Sequence, residues 1–524
     1  MGTCSKVRSC VLLALCFAAV VAADSAVGAG NELSLTLLRR VDGPGGGTVP
    51  SREEVAWAPG NTAAIICDMW NKHGCRQAAR RTAELAPRIN RVAEELRERG
   101  VFIIHAPSGT MEHYSQHPAR KRARRAPRAE QLPESMKSSA EPLPHEGNAE
   151  LPVENGCLHQ VRSTPWTHQH SAIRIEDGDA ISDSGVEIWN LLAQRGIENV
   201  LFMGVHTNMC VMNRPFGLRN LVRNGKNAVL VRDCTDAYYS RRQAPHVSHF
   251  RGTDLVVDYI EKHVCPTALS SDIIDMEPFR FPRDDRPTVL LVIAEREYRT
   301  WETLPEWAHG VLGNQYNFRI TEVYGWPEQN RNHIPGIAEN LSRADLVVLS
   351  VRRRALPEED MKALRSYLAA GKPLVGVRTS SHAFNLHPDW VEGEKECPPG
   401  HAEWPDFDGE VLGCNYHGHY GSGKQTAVRT AEGAADHPIL AGMPESWSTP
   451  EPLYKSRPLV GDAHLLLTGK VEGEPAEPVA FTHRYGKARV FYTSLGGPAD
   501  FQGAAPPVRR MLTNAAFWAL SDAQ

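Results

Sequence analysis

The sequence predicts two α/β domains, each a doubly wound, mainly parallel sheet of the Rossmann-like or flavodoxin-like three-layer kind. Three observations predict it. Short apolar runs of strand length alternate with amphipathic stretches of helix length, first over 61–104 and again over 288–377. Strand, helix, strand in that order requires a right-handed crossover and therefore a parallel sheet. Finally, 524 residues with 41% hydrophobic and 23% charged side chains suffice for two ordinary globular cores. The expected segments are 1–23, a leader; 24–56, an N-terminal arm; 57–270, the first domain; 271–283, a linker; and 284–524, the second domain.

The leader carries Lys6 and Arg8, an apolar run from Cys10 to Ala22, and small residues ending Val21-Ala22-Ala23. That is the pattern of a secretory signal peptide, and the run is short for a membrane anchor. No later stretch reaches spanning length, so the expected product is exported, secreted or periplasmic, and free of the membrane once the leader is removed. A formal net charge of −4 gives no reason to expect nucleic acid as a partner. The expected partner is a small-molecule substrate, with a homo-oligomer left open. After the leader eight cysteines remain, widely spaced, unlike a disulfide-stapled small domain. Cys397 and Cys414 are the candidates for a bridge. No paired CxxC site is present, so neither a metal nor another cofactor is expected.

After a polar, glycine-rich arm around Gly43 to Gly47, the run Asn61 to Asp68 reads as a buried strand ending in a carboxylate. Ligands of open parallel sheets bind at the carboxyl ends of the strands, which places Asp68 for chemistry. A helix is expected from about Gln77 to Arg99, with Ala83, Leu85, Ile89, Val92 and Leu96 on one face. The strand Val101 to Ile104 then stops at His105, which reads with His113 and His117 as solvent-facing. Pro118 to Pro144 is basic and proline-rich and reads as a long exposed loop. A strand follows from about Ala172 to Ile175.

The apolar run Asn199 to Met203 leads into Gly204-Val-His-Thr-Asn-Met-Cys210 and then a helical stretch, Leu218 to Lys226. Cys210 thus sits at a strand-to-helix turn, where free N–H groups and the helix dipole favour a thiolate and can hold an oxyanion. Rapid alkylation at neutral pH is the expected behaviour of such a thiol, with a pKa that rises in Asp68→Asn. Pro215 fits only a first helical turn, so the helix is expected to break or restart there. Asn208, Arg214 and Phe216 are candidate pocket residues, with core packing the alternative for Phe216. The strand Ala228 to Val231 and a helix from about Asp254 to Val264 close the domain.

These strings resemble the isochorismatase-like cysteine hydrolases of the nicotinamidase superfamily. The resemblance rests on Ile66-Cys-Asp-Met69, on Gly204-Val-His-Thr-Asn-Met-Cys-Val211 and on Arg232-Asp-Cys-Thr-Asp-Ala-Tyr238. It implies Cys210 as nucleophile, Asp68 as general base, a cis peptide between Val205 and His206, and an oxyanion hole made by the His206 and Cys210 amides. It implies action on a small amide or related C–N bond. Metal-binding members of the superfamily carry Asp-x-His after the second strand; this chain has His105-Ala-Pro-Ser there, so a metal is not expected. The family also uses a lysine before its next strand, and no lysine lies between Ser138 and Gly225. His168, His170 or Arg162 are left to take that space, and His168, nearest the family's lysine, is the choice for the third catalytic residue. A non-catalytic binding protein that keeps the fold without the lysine is the alternative reading.

In the second domain, strands are expected at Thr288 to Ala294, Phe318 to Val323, Asp345 to Ser350 and Pro373 to Val377. Helices are expected at about Trp301 to Leu312 and Pro357 to Ala370. No glycine-rich dinucleotide or P-loop pattern follows any of these strands. The strings Val377-Arg-Thr-Ser-Ser-His-Ala-Phe384, Glu477 to Gly496 and Asn514 to Leu520 resemble ThuA-like domains, the trehalose-utilisation group with a glutamine-amidotransferase-like fold. In amidotransferases the turn at Arg378 to Ser380 would carry a cysteine. Here Ser380 or Ser381 with His382 is the candidate, with ligand binding or structural support as the alternative. His417 and His419 fall in a glycine-rich loop expected near the same place, and Gly497 stands where many relatives have histidine.

Overall fold

The computed structural model describes residues 32–43, 47–141, 164–325, 331–386, 396–504 and 506–521. The expected signal peptide and Arg162 lie outside the described residues. The chain divides into two compact units. One comprises Met1–Leu38, Glu53–Gln243 and Val256–Pro282; the other comprises Arg39–Arg52, Ala244–Leu255 and Arg283–Gln524.

Strands β1 (Leu33–Asp42), β2 (Thr48–Trp57), β3 (Thr62–Cys67), β4 (Phe102–Ala106), β5 (Ala180–Ile181), β6 (Asn199–Val205), β7 (Asn227–Asp236) and β8 (Thr267–Ala268) form one sheet. Its order is β2-β1-β8-β7-β6-β3-β4-β5. From β8 to β5 every neighbouring pair is parallel, and β1 joins antiparallel. The expected arm is therefore strand in large part. Leu33, Leu35 and Leu37 are buried alternately with Ser34, Thr36 and Leu38, a period-two pattern that seats β1 on the sheet.

Helix α1 (Arg76–Glu98) buries Leu85, Ile89, Val92 and Leu96, as the periodicity predicts, but Ala83, placed on the same face, is exposed. Each such side chain contributes about 1.5–3 kcal/mol on leaving water. The stretch Pro118 to Pro144 is only in part the exposed loop expected: residues 126–133 are irregular, 142–144 lie outside the described residues, and the beginning is helical. Pro118–Arg125 is a helix, α2, with Pro118 in its first turn and the His117 side chain capping the Ala119 N–H. Ala119 and Ala123 are buried on its inner face, and Arg120 pairs with Glu187 on helix α3 (Gly185–Gln194). Composition hid the helix because Arg120 and Arg122 find tertiary partners, Glu187 and the Asp179 carbonyl.

Residues 172–175 form no strand; the next one is the two-residue β5. His105 is fully buried rather than solvent-facing, with Nδ1 on Gln169 Oε1 and Nε2 on Asp179 Oδ2, each at 3.0 Å. Asp179 in turn receives both Nε and Nη2 of Arg97. Cys397 and Cys414 are free thiols, one exposed and one buried, so they do not form the bridge expected; Cys75 is disulfide-bonded. The nucleophile turn leads to helix α4 (Leu218–Arg223), restarted after Pro215 as proline chemistry requires, and α5 (His249–His263) follows.

The second sheet is built from β9 (Thr288–Ala294), β10 (Arg319–Tyr324), β11 (Leu346–Val351), β13 (Leu374–Val377), β15 (Thr426–Thr430), β16 (Ser446–Thr449), β17 (His464–Lys470), β18 (Glu477–Tyr485) and β19 (Ala488–Thr493), while β12 (Leu356–Pro357) and β14 (His401–Ala402) form a small separate ladder. The order is β10-β9-β11-β13-β19-β18-β17-β15-β16. The first five strands are parallel and the last four continue antiparallel. Along β9 the side chains divide by parity. Val289 and Leu291 pack with helices α6 (Thr300–Trp307) and α9 (Pro507–Leu520), whereas Leu290 and Val292 pack with α7 (Ile337–Arg343) and α8 (Glu358–Ala369). Helices on both faces make this a doubly wound, three-layer unit. Among the described residues no helix is long and apolar enough to cross a membrane.

Candidate active site

In the first sheet the chain runs from β3 outward to β4 on one side and later to β6 on the other, so the order reverses between β3 and β6. Such a switch point opens a crevice at the carboxyl ends of the strands. Asp68 follows β3, and the turn holding Cys210 follows β6; their strands pair with Cys67 opposite Gly204. Gly204 has φ +116°, and a Cβ there would stand 2.0 Å from the Cys67 carbonyl oxygen. Only glycine lets the two strands approach this closely with that backbone.

The Val205–His206 peptide is cis, at the position the resemblance implies. Thr207–Val211 winds as a single π-helical turn, and Arg214 N–H donates to the Cys210 carbonyl at 3.1 Å. Arg214 is thus one helical turn beyond Cys210, on the same face.

Asp68 has no solvent exposure and a left-handed backbone, φ +49°. Its Oδ1 accepts the Ser108 N–H at 2.7 Å, and its Oδ2 accepts Nε and Nη2 of Arg214 at 3.2 and 3.0 Å. The Cys210 thiol lies beside the same carboxylate, near enough for its charge to act on the sulfur. Burial pushes the Cys210 thiol up, the Asp68 charge adds to the rise, and Arg214 opposes it. Cys210 therefore rests as a thiol beside its base, not as the standing thiolate expected from its turn. Burial works against the Arg214 charge, but the Asp68 carboxylate outweighs it and holds the guanidinium protonated.

His168 is not brought to this pair. Its segment does pass beside Asp68: the His168 carbonyl accepts the Asn71 N–H and the His170 N–H donates to the Met69 carbonyl. The His168 ring, however, turns to the Thr167 hydroxyl and Asn71, at 2.9 and 3.3 Å. Burial, then His113 and Lys72, lowers its pKa, and burial with His168 lowers that of His170, so neither is a standing cation at neutral pH. Arg214, which the sequence marked only as a pocket residue, stands where the cation is needed. The spacing of four from Cys210 was the available signal.

The other candidates separate cleanly. Asn208 exchanges two hydrogen bonds with the Tyr238 backbone, tying the nucleophile turn to the end of β7. Phe216 is fully buried, which is the core reading. His206 is buried, and desolvation brings its imidazole down to about 3, so it is neutral. Around it lie His73 at 5.2 Å and Tyr238 at 5.0 Å between ring centroids, with Trp166 stacked on Trp70 at 4.3 Å. Among the described residues no cluster of three or more His, Cys, Asp or Glu side chains could hold a metal ion.

In the second unit, Ser380 is consumed by the fold: its hydroxyl donates to the Leu349 carbonyl at 2.6 Å and accepts the Val377 N–H at 3.1 Å. Ser381, not Ser380, meets His382, with 3.2 Å between Oγ and Nδ1. His382 stacks on Tyr416 at 4.4 Å, and the His419 ring lies 6.4 Å from that of Tyr454. His417 is exposed, with Nδ1 3.1 Å from the Asn415 carbonyl oxygen.

A thiol, its buried base and a fixed guanidinium at the switch point of a parallel sheet define a cysteine-hydrolase type of site. Residues 167–257 match the isochorismatase domain family, and residues 312–519 match the ThuA family, described as trehalose utilisation. The chain accordingly joins an isochorismatase-like domain to a ThuA-like domain. No curated protein matches it. Similar solved structures include a putative ThuA-like protein from Bacteroides uniformis ATCC 8492, 14% identical, with a TM-score of 0.33 over 47% of this chain and 95% of that one. Others are a cysteine hydrolase from Pseudomonas syringae pv. phaseolicola 1448A, 17% identical, TM-score 0.28, covering 42% and 94%, and an isochorismatase family protein from Burkholderia thailandensis, 15% identical, TM-score 0.25, covering 41% and 94%.

Proposed function

We propose that this protein is an exported cysteine hydrolase that cleaves a small amide or related C–N bond, with Arg214 in the role the family gives to lysine. The observation that carries this reading is the contact of the Cys210 thiol and the Arg214 guanidinium with one buried carboxylate, Asp68. Asp68 takes the thiol proton as sulfur attacks the substrate carbonyl. Negative charge gathers on the carbonyl oxygen, for which the His206 and Cys210 N–H groups are the proposed donors. Asp68 then returns the proton to the departing nitrogen, the C–N bond breaks, and a thioester remains. A water deprotonated by Asp68 adds to the thioester, and collapse frees the acid and restores the thiol. Arg214 keeps Asp68 aligned and stabilises the anionic sulfur as it forms. Export is supported by the basic, apolar and small-residue order of residues 1–23.

Turnover of a panel of small amides by the purified chain, with Cys210→Ala as control, tests the proposal. Failure of every amide would favour the second reading, a binding protein that keeps the hydrolase fold. On its side is the burial of the Cys210 thiol beside the Asp68 charge, both of which disfavour a thiolate. Under that reading Cys210→Ala would leave ligand affinity intact.

A further inference from the structure

The second unit has its own switch point, between β9 and β11, and its carboxyl edge is crowded with cations. Arg352, Arg353 and Arg354 follow β11, and Arg378 to His382 follow β13. The two loops touch: Arg353 N–H donates to the His382 carbonyl at 2.9 Å, and Arg354 N–H to the Ala383 carbonyl at 2.8 Å. Arg353 and Arg378 both hold left-handed backbones, φ +47° and +51°. Non-glycine residues persist there only where the surroundings impose it, and such positions gather at functional sites.

Arg378 has no solvent exposure. Its guanidinium lies 4.1 Å from the ring centre of Tyr298 and 4.6 Å from that of Tyr454. Nη1 is bonded to the Ser494 and Pro452 carbonyls. Among the described residues Nε and Nη2 have no hydrogen-bond partner, and the Glu451 carboxylate lies 3.6 Å from Nη2. The neighbouring Thr379 hydroxyl is also buried without a partner. Buried donors left unmade are costly, and two on adjacent residues point to an acceptor that belongs there.

The groups above them form a graded approach. His382 and Arg353 are nearly buried, while Tyr416, stacked on His382, and His419 are part-exposed. Burial first, then Arg353, Arg352 and Arg378, keeps His382 neutral, so the ring adds polarity without further repulsion. Arg352 already has Glu297, 2.9 Å from its Nε. Arg353 Nη1 donates to the Asn385 carbonyl at 3.1 Å.

We propose that this edge binds a small ligand bearing an oxyanion, carboxylate or phosphate, taken up by Arg378, Thr379 and Arg353, with the Tyr416 and Tyr298 rings against its body. The site is separate from Asp68 and Cys210 and does not depend on the hydrolase reading. Calorimetric titration of the full chain with glucuronate, glucose 6-phosphate and inorganic phosphate, with neutral glucose as control, tests it. Saturable heat is expected from at least one anionic probe and none from glucose, and the stronger binder tells carboxylate from phosphate. Thr379→Val, close in shape, and Arg353→Gln should each weaken binding at least about tenfold, whereas Arg214→Gln should leave it unchanged. Absence of heat from all three anions at about 10 mM, or affinity in Thr379→Val and Arg353→Gln unchanged from that of the unsubstituted chain, overturns the proposal. Loss of binding in Arg214→Gln overturns it too, by assigning the heat to the first site. Should Arg353→Gln fail to give a native melting transition, Thr379→Val alone decides.

Discussion

Asp68 and Arg378 are buried charges at strand ends of the two sheets and are answered in opposite ways. Each follows a parallel strand at its carboxyl end, each has a left-handed backbone at φ +49° or +51°, and neither has any solvent exposure. Asp68 is met by a backbone N–H, two guanidinium nitrogens and a thiol, so its charge is closed within the protein. Arg378 is met by two carbonyls, two aromatic rings and a carboxylate beyond hydrogen-bond reach, so part of its donor capacity is unused. A closed pair is suited to exchanging a proton with a neighbour. An open cation is suited to receiving an anion.

The largest effect expected is the loss of turnover in Cys210→Ala, by at least about 10⁴-fold, since the proposed acyl intermediate forms on that sulfur. Arg378→Lys should leave the same rate within about twofold, if the chemistry belongs to the closed pair alone. A comparable loss in both variants would end the contrast between the two sites.

Next in size is Arg214→Met, which would leave Asp68 as poorly answered as Arg378 is now. A fall in kcat/KM of about 10²-fold or more is expected, with part of it recovered in Arg214→Lys, which restores the charge without the fork. Because an arginine stays charged, the rate should not fall between about pH 6 and pH 8. A rate that declines through that window would return the role to a histidine.

Alkylation of Cys210 gives a third measure. The Asp68 charge raises the thiol, so Asp68→Asn removes a cause of the rise and should lower the pKa, speeding iodoacetamide labelling at pH 7 by about tenfold per pKa unit recovered. Hydrolysis should meanwhile be lost, because the base is gone. Slower labelling in Asp68→Asn would mean that the carboxylate favours the thiolate and that the site works as a preformed ion pair.

Much of the first site was readable because its signals are local. Asp68 ends an apolar strand, Cys210 lies in a specific string, and the cis peptide falls inside that string. The cation was harder, since its identity depends on which side chain reaches a carboxylate 146 positions away in sequence. The sequence offered His168 by position, and its backbone does run past Asp68, but its ring turned toward Thr167 and Asn71. Helix α2 was hidden for a related reason, since its arginines read as solvated until Glu187 and the Asp179 carbonyl are placed beside them. In the second unit the turn after β13 was located correctly. Which of its hydroxyls serves the strand ends and which faces His382 is a matter of single-residue orientation that spacing does not encode.

Ser380→Ala tests that orientation. It removes bonds to the Leu349 carbonyl and the Val377 N–H in the interior and should cost about 1–3 kcal/mol of stability by denaturant titration, leaving amide turnover unchanged. Ser381→Ala removes longer contacts, to His382 at 3.2 Å and to the Arg378 carbonyl at 3.5 Å, and should cost less. The reverse order would make Ser380 the free hydroxyl.

The smallest effect is expected of His168→Ala, and it bears most directly on how the first site is closed. The ring's hydrogen-bond contacts are with Thr167 and Asn71, and its pKa is lowered, so at neutral pH it brings no charge to Asp68. With Arg214 supplying two hydrogen bonds to that carboxylate, deletion of the imidazole should change kcat/KM by no more than about twofold and leave the pH profile where it was. Adding His168→Ala to Arg214→Met should likewise change nothing further. If the double variant is instead much slower than Arg214→Met, the histidine acts as a reserve cation once the guanidinium is gone, and the acid of the first site is less closed than its hydrogen bonds imply.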